Sequence, residues 1–147
     1  MQLTTLFIPL TLTLAGIGIP VMAALNSGLG TRLSSPLAAV FILSLVATIS
    51  SFTLLATNGQ PSWSQVAQVP ILYFLGGVIL VFYLSAITFG APRIGLGTAV
   101  LLVLLGQLAS AALIDHLSLF GTQGHPLTGR RLLGLGFVSI GVVLARS

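Results

Sequence analysis

The sequence predicts an all-α, polytopic membrane protein with five transmembrane helices in one chain. Three observations carry that expectation. Of 147 residues, 56% are hydrophobic and only 4% are charged. A water-soluble domain carries roughly 25% charged residues, so this chain has too few to face water all round and its solvent is largely lipid. Five apolar stretches, separated by Gly, Pro and polar punctuation, approach the ~20 helical residues that a bilayer core of about 30 Å requires. Finally, the basic residues are five scattered arginines with no lysine, and they fall in or beside the punctuation. A nucleic-acid surface would gather basic residues on one face, so nucleic acid is not an expected partner. In a membrane protein, Arg32, Arg93, Arg130, Arg131 and Arg146 read as topology and headgroup anchors.

The first span is expected over Leu3–Leu25 and holds Pro9, Gly16, Gly18 and Pro20. No Arg or Lys precedes it, so it is read as a span and not as a signal peptide, despite the small residues of "VMAA". Gly16, Pro20, Ala24 and Gly28 recur every fourth residue. Such a stripe lets another helix approach closely, and Pro20 adds a possible hinge. Asn26 ends the span, either as a turn residue or as an amide that needs a partner. The loop "NSGLGTRLSSP" leads to the second span, Pro36–Thr57, and "NGQPSWSQVAQVP" follows with Trp63 as an interface anchor.

The third span, Ile71–Phe89, contains Gly76 and Gly77 as packing positions and Tyr83, whose phenol needs a hydrogen-bond partner. Tyr83 is either a satisfied core residue or a surface on which a ligand could stack. After the turn "GAPR" comes the fourth span, Gly95–Ile114. Gln107, Ser110, Ala111, Ile114 and Asp115 share one face of it. Gln107 lies near mid-span, where an unbonded amide is costly, so that face points to protein or to a wet cavity. Gly106 and Ser110 make a small-residue pair beside it. Asp115 is the only carboxylate side chain in the protein. It lies roughly 12 Å along the axis from Gln107, at the membrane interface. There it is either a span-ending acid paired with an arginine, or a gate or protonatable group. The loop "SLFGTQGHPLTGRR" precedes a short fifth span, Leu132–Ala145, flanked by Arg131 and Arg146, with Gly134 and Gly141 as packing positions. At about 21 Å it needs snorkelling arginines or local thinning; a four-span chain with a surface helix in its place is the alternative.

Several chemistries are excluded. There is no cysteine and no lysine, so thiolate catalysis and a phosphate-loop lysine are impossible. Asp115, His116 and His125 lack metal-ligand spacing. No serine has a plausible His–acid pair, so the chain does not read as an enzyme, and no cofactor or metal is expected. With five spans, Arg32, Arg93 and Arg146 lie on one side and Arg130 and Arg131 on the other. The excess that orients a chain is then a single residue, which leaves either a weakly fixed orientation or dual topology. Two oppositely inserted copies would pair about an in-plane two-fold axis, and transporters bind substrate at such an inverted-repeat interface.

The runs "GIGIPVMAALNSGLGTRLSSP", "LGGVILVFYLSA", "PRIGLGTAVLLVLLGQLASAALIDHLSLFG" and "HPLTGRRLLGLGFVSIGVVL" together resemble the YdcZ-like family of the drug/metabolite transporter superfamily. The resemblance runs from Gly16 to Leu144, and its most specific part is "GQ…LIDH…FG". Asn26, Gln107, Asp115, His116, Gly121 and Gly134 match its pattern; Met22 departs from it, standing where many members carry a glutamine. The resemblance implies a single five-span domain over 1–147, completed as an inverted repeat by an antiparallel homodimer or by a paralogous chain of opposite orientation. We expect transport of a small organic molecule through a central cavity lined by spans 1 to 4, which Asn26, Tyr83, Gln107 and Ser110 line or approach, with Asp115 near its mouth. The small multidrug resistance relatives use an acid in the first span, and none is present here, so proton-coupled cation export does not carry over. A non-transporting membrane subunit and a lipid-carrier flippase are the rival readings.

Overall fold

The computed structural model describes residues 2–59, 61–122 and 124–146, with side chains over 6–59, 61–122 and 124–145. All regular structure there is helical: α1 (Gln2–Arg32), α2 (Pro36–Asn58), α3 (Trp63–Ala67), a 3₁₀ turn (Ile71–Phe74), α4 (Leu75–Ile94), α5 (Leu96–His116), a second 3₁₀ turn (Leu119–Gly121) and α6 (Gly129–Arg146). Leu6–Arg32, Pro36–Asn58, Ile71–Ile94 and Leu96–His116 are long and apolar enough to cross a membrane. The expected fifth span is present as α6, which is longer than 132–145 because it opens at Gly129 and takes in Arg130 and Arg131. It carries three arginines over 18 residues and does not meet the same standard of apolarity.

Two expected boundaries are corrected. Helix α1 runs through Asn26, Gly28 and Gly30, so the expected loop shrinks to Leu33–Ser35 and Asn26 is an interior helical residue. Glycine inside a helix costs only about 1 kcal/mol relative to alanine, which the surrounding Leu29, Thr31 and Arg32 tolerate. The chain stops where Ser34 turns left-handed (φ 51°) and Ser35 caps α2, accepting from the Ala38 N–H at 3.2 Å ahead of Pro36. Likewise "GAPR" is helical: α4 passes Pro92 and breaks at Gly95, whose φ of 85° suits glycine. The loop before α4 contains α3, where Gln65 Oε1 accepts from the Ser62 N–H at 3.0 Å.

The chain forms two compact units, 1–93 and 94–147. In the first, α1 packs on α2, and α4 presents Leu84, Ile87, Thr88 and Ala91 as its buried face, the i, i+3, i+4, i+7 spacing of one helical stripe. The facing stripe of α1 is Ala23, Asn26 and Gly30. A Cβ on Gly30 would meet Pro36 Cα and Thr88 Cγ2 at 3.3 Å and Ala39 Cβ at 3.6 Å, so this glycine sets how closely α1, α2 and α4 approach. In the second unit α5 packs on α6, and Ala99, Ala112 and Val142 are buried. Elsewhere the large apolar side chains face outward; Phe41, Phe82 and Phe137 are about 70% exposed (69%, 74% and 73%), as suits a lipid solvent.

Candidate functional site

The polar interior of the first unit centres on α1 and α4. Asn26 Nδ2 donates to Thr88 Oγ1 at 2.6 Å, and the two residues are 4% and 1% exposed. Asn26 Oδ1 and the hydroxyls of Ser27, Ser44 and Tyr83 are enclosed with no hydrogen-bond partner among the described residues. Most other hydroxyls in these helices bond to their own backbone, as Thr48 does to Ser44 O and Thr53 to Ile49 O. The unmet atoms are therefore a distinct set.

Two depressions flank the Asn26–Thr88 pair. On one side Met22, Leu25, Asn26, Leu29, Leu43 and Val46 line a groove of about 370 Å³ between α1 and α2, apolar apart from the amide. On the other, Ser27, Gly30, Thr31, Ser34, Thr88 and Arg93 line a cleft of about 360 Å³ where the α1–α2 turn meets the end of α4. Arg93 lies over the Phe89 ring, 3.4 Å from its centroid, and donates to the Phe89 carbonyl.

Of the expected cavity residues, Asn26 and Tyr83 lie in this unit, and Gln107, Ser110 and Asp115 lie in the second. Gln107 and Ser110 are exposed, with the Ser110 hydroxyl donating to Gln107 O at 3.1 Å. Asp115 Oδ2 accepts from Arg131 Nη2 at 2.8 Å. The same arginine donates to His125 O at 3.3 Å, Asp115 O accepts from the His125 N–H at 3.1 Å, and His116 Nδ1 accepts from the Leu127 N–H at 3.3 Å. Asp115 and His116 thus fasten the α5–α6 loop back onto the end of α5. No group of three or more His, Cys, Asp or Glu among the described residues could hold a metal ion.

The expected packing positions Gly16, Gly76, Gly77, Gly106, Gly134 and Gly141 are open: a Cβ built on any of them meets nothing within 4 Å. Pro20 is half-buried within continuous helix. Lacking an N–H, it leaves the Gly16 carbonyl without its i+4 donor. Arg32 and Arg130 are exposed, and the side chain of Arg146 lies outside the described residues.

Thr88, Ser27, Ser44 and Gly30 were not legible as site residues. A hydroxyl in a span is unremarkable when it can bond its own helix, and only the packing of α1 on α4 sets Thr88 apart. The one available signal was the apolar stripe Leu84, Ile87, Ala91, which places Thr88 on the buried face.

The sequence model of the family described as "Putative inner membrane exporter, YdcZ" matches residues 7–144. No curated protein and no solved structure gives a significant match.

Proposed function

Because the chain belongs to the YdcZ family of inner-membrane exporters, we propose that it moves a small organic solute across the membrane as one half of an antiparallel homodimer. It is a multi-pass inner-membrane protein with four helices suited to crossing, and exporters of this kind are transporters rather than enzymes. In this reading all five long helices act as one domain over 1–147, and α6 is the fifth span. Its 18 residues rise about 27 Å, close to the ~30 Å hydrocarbon thickness, with Arg130 and Arg131 snorkelling to the interface.

The observation that carries the reading is the Asn26–Thr88 pair and the unmet polar atoms of the same unit. Polar groups inside a membrane span are costly and are characteristically found facing substrate pathways. An amide oxygen and three hydroxyls without partners weaken the fold, so stability alone gives no reason for them. Asn26, Tyr83, Gln107 and Ser110 are the residues proposed to contribute to the solute path. Asp115 acts near its mouth through the Arg131 pair. The open small-residue positions Gly16, Gly76, Gly77, Gly106, Gly134 and Gly141 serve helix contacts completed by the second copy.

Two measurements test this. A cysteine added after Ser147 is the only thiol in the protein. Labelling with an impermeant maleimide, compared in intact and lysed cells, is expected to reach about half of the copies from outside if both orientations insert equally. One-sided labelling rules out the antiparallel homodimer and makes a paralogous chain the inverted partner. In reconstituted vesicles Gln107→Leu is expected to reduce solute uptake; intact uptake removes Gln107 from the site.

A further inference from the structure

We infer that the cleft between the α1–α2 turn and the end of α4 is a binding site for a phosphate-type oxyanion, with Arg93 as its charged ligand. Charge balance gives the first reason. The protein has five arginines and one carboxylate side chain, and that carboxylate is held by Arg131. No acidic side chain in the protein remains to neutralise Arg93.

The cleft itself gives the second reason. Arg93 is an arginine that lines a cavity, and the polar side chains lining it alongside are hydroxyls rather than acids: Ser27, Ser34 and Thr88, with Thr31, whose own proton goes to the Ser27 carbonyl at 3.0 Å. The Ser34 side chain is exposed on the left-handed residue that ends α1, and the Ser27 hydroxyl has no partner. Hydroxyl and guanidinium donors together match an oxyanion with several acceptor oxygens. Arg93 is held in place by the Phe89 ring and carbonyl, which engages one of its five N–H groups and leaves the others for a ligand. The N-terminus of α2 is not the ligand here, since Ser35 already caps it. The cleft is at the end of an apolar helix, the depth of lipid phosphates. The same chemistry would also hold a soluble phosphate, so the experiment separates the two sources.

Purified full-length protein in uncharged detergent is titrated with phosphatidylglycerol or phosphatidylcholine, read by native mass spectrometry. In parallel it is titrated with inorganic phosphate, read by melting temperature against sodium chloride at equal ionic strength. Binding of phosphatidylglycerol over phosphatidylcholine, weakened on the order of tenfold by Arg93→Gln and unchanged by Arg32→Gln, supports the site with a lipid headgroup as occupant. Stabilisation by inorganic phosphate beyond that by chloride, with the same pattern among variants, supports it with a soluble occupant. The paired variant Ser27→Ala/Ser34→Gly leaves the arginine in place and is expected to weaken the same binding, which keeps the test decisive if Arg93→Gln fails to fold. The inference is overturned if neither probe binds, or if Arg93→Gln and Arg32→Gln weaken binding equally, since that is diffuse charge and not a site.

Discussion

A side-chain amide buried among apolar helices has few ways to be satisfied, and Asn26 uses one of them. Its amide nitrogen bonds Thr88 at 2.6 Å across two helices, while its oxygen has no partner among the described residues. Interhelical hydrogen bonds in membrane proteins average about 0.6 kcal/mol with a maximum near 1.7. A double-mutant cycle of Asn26→Leu and Thr88→Val, read by thermal unfolding in detergent, is expected to return a coupling in that range. A coupling of zero would mean the bond does not hold α1 to α4. Gly30 is the second decisive residue. Gly30→Val forces atoms against the Pro36 backbone and Thr88, and overpacking of this kind costs roughly 1–3 kcal/mol. At Gly76 nothing among the described residues lies within 4 Å of an added Cβ, so the same measurement on Gly76→Ala is expected to show a loss only through the helix contact proposed with the second copy. A gain of up to about 1 kcal/mol from helix propensity would show that no second copy packs there.

At the scale of elements, α2 shows how an apolar helix carries many hydroxyls without a cavity. Thr48, Ser50, Thr53 and Thr57 return their protons to carbonyls one turn back, so each is satisfied inside its own helix. The α5–α6 connection is fastened differently. Asp115 holds Arg131 through its side chain and the loop through its carbonyl, with Ser118 and Phe120 in left-handed conformations between. The Asp115 and Arg131 side chains are 29% and 42% exposed, and partly exposed ion pairs contribute roughly 0.2–1 kcal/mol. Asp115→Asn is therefore expected to lower stability by no more than about 1 kcal/mol while speeding proteolysis of the loop before Gly129. Unchanged proteolysis would show that the pair does not fasten the loop.

The whole molecule is governed by its solvent and its charge balance. Its large apolar side chains face outward, which is stable only in lipid. In the proposed five-span topology three arginines lie on one side and two on the other. Arg130→Gln makes that three against one and leaves the Asp115–Arg131 pair intact. The more basic side is retained in the cytoplasm, and that side includes the C-terminus. If both orientations insert, as proposed, external labelling of a cysteine after Ser147 is thus expected to fall from about half toward none. Labelling that stays at half would show that orientation does not follow the arginines.

The sequence by itself determined the all-helical membrane class, the four principal spans and the family, because apolar length and scarcity of charge are properties of the chain that no packing can reverse. It also carried the pairing of Asp115 with an arginine as one of two readings, since a lone acid at a span end has few other partners. Only the tertiary structure decided that α1 continues to Arg32, that Asn26 is interior and bonded to Thr88, and that α4 runs through Pro92. Helix ends in lipid are set by weak local preferences of about 1 kcal/mol, which packing at Gly30 overrides. It alone decided which polar atoms are unmet, because a hydroxyl reads the same in sequence whether it bonds its own helix, as Thr48 does, or is enclosed without a partner, as Ser44 is.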